Sequence, residues 1–463
     1  MAGLYDRSRV GYEGDFFDSY QAIDTSCVES AVKSFKLGRA CGLDGLSPEH
    51  LLFSHPIVYN VLVKLFNSIL YVGHVPLSCL TSYTVPIPKG CGGGLTSYSC
   101  NDFRGIAISS LLSKLFEKCL MVIFGSYFRV SENQFGFKRG VGCSHAINSV
   151  KRIVDFYVEG NGTACLSAID IRKAYDSVDH TGLFMQLMHR RVPICLLRLL
   201  EAWLPNCHTC IKWSCKFSAF FRLGVGVRQG SSLAPVLFSV YINDVIANER
   251  VSSLGFLFAF ADDILLISLS VCALQSMLSL VECDLLRLDL RLNVDKCCGI
   301  RVGARFDRVC APLNTINNAP ITWCKRMRYL GVWICSSRKF CCDFSNARRS
   351  FNRAANAVLS KVGATASEEV LVQLIKSKCI PVLLYGCEAV GLSSRDMAAL
   401  DFSFVRVIMK IFKCSNRAII NDIMTSFCIS KPSELIRRRA DRFNVKYSKC
   451  DNLVCQSLML LTK

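Results

Sequence analysis

The sequence predicts an α+β protein: a core of mixed helices and strands with helical segments before and after it. Three observations carry this. Up to about residue 79 the apolar residues recur at helical spacing. From SYTVPIPKG to about residue 335, short β-rich runs alternate with helices and with loops rich in Gly, Ser and Asn. From about residue 340 the helical period returns. A chain of 463 residues exceeds one typical core. The expected division is a helical extension over 1–79, the mixed region over 80–335 and a helical region over 336–463.

In the first region Val28, Val32 and Phe35 lie on one helical face. ACGLDGLSP then supplies turn residues, and HLLFSHPIVYNVLVKLFNSIL reads as the next helix. In the mixed region, Leu166 to Ile169 of CLSAIDIRKAYDSVDH read as a strand with Asp170 near its end, and KAYDSVDHTGLFMQLM reads as a helix. Asp176 and Asp179 are expected as capping or solvated acids at its start. In the last region, Phe344, Ala347, Phe351, Ala354, Val358 and Val362 form one stripe, Gly363 suits a C-terminal cap, and Arg349 and Arg353 share another face. A helix from SEEVLVQLIKSKC should stop near Pro381, and basic amphipathic runs follow in FVRVIMKIFKC and LIRRRADRF.

Composition narrows the partners. There are 55 Lys and Arg against 36 Asp and Glu, a net charge of +19 spread along the chain, which favours a polyanion, most often nucleic acid. The 27 cysteines come without a secretory signal, so free thiols are expected. Cys207, His208 and Cys210 are an isolated cluster without the paired knuckles of a zinc site. No uninterrupted apolar run reaches the length of about 18 residues that spans a bilayer, so no membrane partner is expected; an intracellular place is.

The segment GFLFAFADDILLIS sets two carboxylates inside an apolar run. Adjacent residues of a strand face opposite ways, so two aspartates in mid-strand could not serve one site. A hairpin removes the conflict: Gly255 to Phe260 as one strand, Ala261 to Asp263 as the turn, Ile264 to Ser268 as the return. Carboxylates that close stay ionised together only with a cation between them, and a divalent metal is the expected one. Asp170, at the end of another strand, is the expected third donor.

These segments resemble the reverse transcriptases of non-LTR retrotransposons, the jockey and LINE-like group. FADD, AIDIRKAYDSVDH and GVRQGSSLAPVLFSVYINDV match, in the family's order, its catalytic hairpin, first catalytic strand and helix, and template- and nucleotide-binding segment. VPIPKG, NDFRGIAISSLLSKLFEKCL, ENQFGFKRGVGCSHAI, LRLNVDKC and RYLGVWI match further elements, so the likeness runs from about residue 30 to beyond 390. It implies a right-hand polymerase architecture with fingers, an antiparallel-sheet palm backed by helices, and a helical thumb.

The same resemblance implies an RNA template, a DNA primer or target, deoxynucleoside triphosphates, and two Mg2+ ions for which Mn2+ can substitute. Asp170, Asp262 and Asp263 would hold the ions with the carbonyl of Ile171. Tyr175 would be the steric gate against a ribose 2′-OH. Gln229 and Gly230 would meet the template and new base pair, Lys89 and Arg104 the triphosphate. Lys296 would act as general acid, and Tyr329 and Gly331 would form the primer grip. Gly105 stands where many relatives have proline, which is expected to loosen the loop after Arg104. A cytoplasmic ribonucleoprotein and the nucleus are the expected places. The competing expectation is a silent nucleic-acid-binding remnant of such a polymerase.

Overall fold

The computed structural model describes residues 2–18, 22–89, 99–363 and 365–460. Gly90, which ends VPIPKG, lies outside them. Among the described residues the strands are β1 (Thr81–Pro88), β2 (Phe103–Ser109), β3 (Thr163–Asp170), β4 (His208–Trp213), β5 (Lys216–Phe217), β6 (Phe221–Arg222), β7 (Phe256–Phe260), β8 (Asp263–Ser268), β9 (Cys298–Gly303), β10 (Leu313–Asn314), β11 (Pro320–Ile321), β12 (Arg326–Tyr329) and β13 (Val332–Cys335). The fold is α+β. The chain forms two compact units, one from Met1–Ser131, Ile171–Val245 and Cys283–Arg291, the other from Glu132–Asp170, Ile246–Glu282 and Leu292–Lys463.

The first unit carries a sheet in the order β2-β1-β4-β5, with β6 also on β4; β1 and β2 are antiparallel and β1 and β4 parallel. Its helices meet through aromatic rings. Phe66 of Ile57–Val72 stacks on Phe116 of Leu111–Ile123 at 5.0 Å, and Phe116 on Trp203 of Ile194–Trp203 at 5.6 Å. Val28 and Val32 are buried in Thr25–Lys33, while Phe35 lies past that helix's end. The run expected as one helix from His50 divides into Pro48–Leu52 and Ile57–Val72, because Pro56 disfavours helical backbone in the residue before it. KAYDSVDHTGLFMQLM is likewise two elements. Lys173 adopts a left-handed φ of 47°, Ala174–Ser177 is a 3-10 turn, and the α-helix begins at His180. Asp179 caps it, accepting from Gly182 N at 2.7 Å, as expected of a helix-start acid. Gly105 lies within β2 opposite Pro86 and no loop follows Arg104, since the ladder continues to Ser109.

The second unit is built on an antiparallel sheet ordered β7-β8-β3-β9. Leu166, Phe258, Leu265, Ile267, Ile300 and Val302 belong to one apolar core with Ile147 and Val150 of the helix Cys143–Glu159 and with the helices after residue 344. The helix Ser345–Val362 buries Phe351 and Ala355. Its Gly363 keeps φ at −65°, so the chain leaves without the left-handed cap the glycine suggested. The next helix ends at Leu383, two residues past Pro381, as expected of a stop near that proline. Glu368–Leu374 continues through a π turn, Ile375–Cys379, into Ile380–Leu383, and the wider turn accommodates the N–H that proline lacks. The helical run Glu368–Val390 is long and apolar enough, by length and composition, to cross a bilayer, although Lys376, Lys378 and Glu388 interrupt it. Leu371, Val372, Ile375, Cys379 and Leu383 are buried in the core, however, so the apolar surface has a protein partner.

Candidate active site

The β7–β8 hairpin and β3 bring the carboxylates together in the second unit. Phe260 pairs with Asp263, so the turn is the two residues Ala261 and Asp262, one shorter than expected, and Asp263 opens β8. Register then sets Asp263 directly opposite Asp170, the last residue of β3. A one-residue slip would send every side chain of β8 to the other face and take Asp263 out of its place opposite Asp170.

The turn is held from below by ENQFGF. Ala261 has a left-handed φ of 57°, a conformation that costs an L-residue about 1–2 kcal/mol. Gln134, fully buried, accepts from Ala261 N at 2.9 Å and from Gly136 N at 2.9 Å. Phe135 N donates to Ala259 O at 2.7 Å, and a Cβ on Gly136 would come within 2.6 Å of Ala261 N. The glycine is therefore required by close approach.

Asp170 Oδ2 accepts from Asn293 Nδ2 at 2.9 Å and from Lys296 Nζ at 3.1 Å, while Asn293 N donates to Asp170 O at 2.8 Å. LRLNVDKC thus delivers both an amide and an ammonium to one aspartate. Burial, then Asp262, then Asp170 push the Asp263 carboxyl up to about 6, against the pull of Arg328 and Lys296. Asp170, Asp263, Lys296, Arg328, Tyr329 and Gly331 line a cavity of about 410 Å³, a volume suited to a small molecule. Tyr329 is buried and its hydroxyl has no partner among the described residues. The turn after it, Leu330 at φ 43° and Gly331 at φ 86°, is exposed at Gly331 and bonded through Leu330 O to Tyr385 Oη at 3.0 Å.

The donor set fits a divalent cation: three carboxylates at one sheet end, two of them raising the proton affinity of the third. As they stand, no three His, Cys, Asp or Glu side chains among the described residues are arranged to hold a metal ion, the three aspartates and the Cys207, His208 and Cys210 cluster included. Asp170 is instead engaged by Lys296.

The remaining expected residues lie in the first unit. Gln229 and Gly230 abut β2: Ala107 N donates to Gln229 O at 2.6 Å, and Gly230, at φ 125°, would place a Cβ 2.2 Å from Ala107 O. Gln229 Nε2 donates to Asp176 Oδ1 at 3.0 Å, and Val227 N to Tyr175 O at 2.8 Å. Tyr175 itself stacks on Phe238 at 4.8 Å. Ile171 is buried beside the 3-10 turn. Arg104 is exposed on β2. Lys89 turns its ammonium to Asn101 O at 2.7 Å.

Sequence reasoning passed over Glu117. This buried carboxylate accepts from Ser231 Oγ at 2.8 Å, Ser232 N at 2.5 Å and Leu233 N at 3.1 Å, and lies 3.9 Å from Arg228 Nη2. It fixes the loop carrying Gln229 and Gly230. An acid within an otherwise apolar helical stripe was the only available signal.

The profile of the family described as reverse transcriptase (RNA-dependent DNA polymerase) matches residues 87–334, more than half the chain and every strand described above except part of β1 and the end of β13. The chain belongs to the reverse transcriptase family. The antiparallel β7-β8-β3-β9 sheet is consistent with the palm sheet expected of that family. Among the chain's relatives is the RNA-directed DNA polymerase from mobile element jockey of Drosophila funebris, 25% identical over 93% of this chain and 48% of the relative. Another is the Pol polyprotein of the type-2 retrotransposable element R2DM of Drosophila melanogaster, 24% identical over 66% of this chain and 30% of the relative. The chain therefore spans about half the length, or less, of these relatives. Apo telomerase from Candida tropicalis, truncated of its C-terminal domain, aligns over 62% of this chain and 60% of its own at 13% identity and TM-score 0.40, a likeness too slight to argue from.

Proposed function

We propose that the chain is the RNA-directed DNA polymerase of a non-LTR retrotransposon, extending a primer 3′-hydroxyl on an RNA template, as in target-primed reverse transcription. The observation that carries it is the register that sets Asp170 against Asp263, with Asp262 in the turn, at a cavity also lined by Lys296.

In this reading Asp170, Asp262, Asp263 and the carbonyl of Ile171 would hold two Mg2+ ions, or Mn2+, which would supply charge neutralisation at the attacking and leaving oxygens. The protein's own groups do the rest. Lys296, ion-paired with Asp170 in the structure, would give a proton to the pyrophosphate that leaves as the primer oxygen, its own proton passing to solvent, bonds to the α-phosphorus. Tyr175, backed by Phe238, excludes a 2′-OH by bulk. Gly230 lets template and backbone approach, and Gln229 is oriented by Asp176. Arg104 and Lys89, on the fingers, take the triphosphate. Tyr329 anchors the primer grip from within the core, and the Leu330–Gly331 turn presents backbone to the primer. Arg349 and Arg353, on an exposed face of the thumb helix Ser345–Val362, meet the duplex backbone independently of sequence.

The test is extension of oligo(dT) on oligo(rA) with dTTP or UTP in magnesium. Wild type is expected to add dTTP and reject UTP, and Tyr175→Ala to accept both. Binding of primer–template with neither nucleotide added would leave a silent remnant as the reading. Unchanged rejection of UTP by the variant would remove the gate.

A further inference from the structure

We propose that Cys335 and Cys341 form a modification site for peroxide, in which Cys341 is the sulfur that reacts and Cys335 the one that resolves it into a disulfide. The proposal is independent of the polymerase reading. Backbone pairing sets the two thiols together. Ile334 bridges Cys342 in antiparallel fashion, Cys335 N donates to Cys341 O at 3.0 Å, and Asp343 N donates to Trp333 O at 2.8 Å. Cys335 and Cys341 are therefore direct cross-strand neighbours on one face, while Ile334 and Cys342 turn toward the core on the other. Residues opposed in this way stand about 4.5–5.5 Å apart at Cα, within the span of roughly 4.4–6.8 Å that a disulfide takes. Cys341, the first of the doublet Cys341-Cys342, is exposed.

The surroundings make the two sulfurs unequal. The Cys335 thiol donates a hydrogen bond to the Cys341 sulfur, which draws Cys341 down to about 6 with partial desolvation opposing it, and Ser337 Oγ, 3.2 Å from that sulfur, adds to the effect. The same contact raises Cys335. Cys341 is thus the thiolate of the pair and its nucleophile. It attacks one oxygen of hydrogen peroxide, the O–O bond breaks, and the second oxygen leaves as hydroxide, which takes up a proton to become water. The Cys335 sulfur then displaces the oxygen of the Cys341 sulfenic acid, and its proton leaves with that oxygen in a second water. Two thiols have then given two electrons and two protons to one peroxide. Other thiols in contact lack this combination. Cys119, next to Cys27, is buried, as are Cys450 and Cys455, and burial pushes Cys298, beside Cys324, up to about 12. The new bond joins the end of β13 to the segment that starts the helix Ser345–Val362, where Asp343 accepts from Ser345 N at 2.8 Å and pairs with Arg326 of β12 at 2.5 Å.

Peptide mapping tests this. The full chain, reduced and freed of reductant, is exposed to hydrogen peroxide, alkylated with iodoacetamide, cut with trypsin and read by mass spectrometry. Cleavage after Arg328, Arg338, Lys339 and Arg348 puts the two sulfurs on separate peptides, YLGVWICSSR and FCCDFSNAR. The expected result is loss of both separately alkylated peptides in favour of a linked pair that carries one alkylated thiol, that of Cys342, and that dithiothreitol returns to the starting peptides. Cys342→Ser is expected to keep the link and Cys341→Ser to lose it. In Cys335→Ser, which cannot resolve the intermediate, dimedone is expected to label Cys341 as its sulfenic acid. Unlinked peptides after other exposed thiols have been oxidised, a bond between Cys341 and Cys342, or a link that survives Cys341→Ser would overturn the proposal.

Discussion

Glu117 keeps a carboxylate 2% exposed inside the first unit, and the loop from Arg228 to Leu233 closes around it. Removing one member of such a buried charged set leaves the others unpaired, a loss of about 3–5 kcal/mol. Glu117→Ala is therefore expected to lower the free energy of unfolding, measured in urea, by an amount of that order and to raise KM for dNTP through the loosened Gln229; an unfolding free energy within error of wild type would contradict the assignment. At this scale the carboxylates were legible, because DD inside an apolar run and an Asp ending a β-rich run each pose a burial problem that a shared site solves. Gln134, Asn293 and Glu117 were not legible as supports. Each acts on a residue far along the chain, and no local pattern of residue types encodes that pairing.

Elements were readable where periodicity and punctuation agreed. The β7–β8 hairpin and β3 came from short apolar runs that end at aspartates, and the helix Ser345–Val362 from a clean apolar stripe. They failed where backbone chemistry was hidden: Lys173 takes a left-handed conformation with no glycine to announce it, and no residue pattern announces the π turn Ile375–Cys379. The β12–β13 hairpin combines both lessons. Its two-residue turn needs positive φ at Leu330 and Gly331, and a Cβ on Gly331 would meet the Tyr385 ring at 2.8 Å. Gly331→Ala should cost about 1–2 kcal/mol and weaken RNA–DNA primer–template binding, measured by denaturation and anisotropy together. A variant that binds as tightly as wild type would remove the primer-grip role from this turn.

Across the whole molecule, composition pointed to a polyanionic partner and periodicity to the change from helices to strands, whereas the segments that pack into each unit depend on pairings distant in sequence. Stability should also carry a histidine signature. His145 is buried beside Phe443 and Tyr447, with Lys446 nearby, and burial followed by that lysine holds its pKa below the usual value. The folded state then binds fewer protons than the unfolded chain, whose histidine titrates near 6.5. Its contribution is present above about pH 6.5 and is lost as pH falls toward the folded pKa. Asp263, raised to about 6, tilts the opposite way in metal-free protein. The comparison is accordingly the difference in urea midpoint between wild type and His145→Gln from pH 7.5 to 5.5, in the range below the histidine's unfolded pKa of about 6.5; wild type should lose more stability on acidification, and parallel curves would contradict the assignment.

The central claim is that the carboxylates opposed by the β3–β8 register form a metal-dependent nucleotidyl-transfer centre. Single-nucleotide extension of a primed RNA template, with magnesium titrated from zero, tests it most directly when wild type is compared with Asp263→Asn. The account predicts magnesium-dependent addition by wild type and a loss of about a thousandfold or more in the variant, the scale on which removal of one preorganised charge-stabilising group acts. Extension by Asp263→Asn at the wild-type rate and with the same magnesium dependence would contradict it.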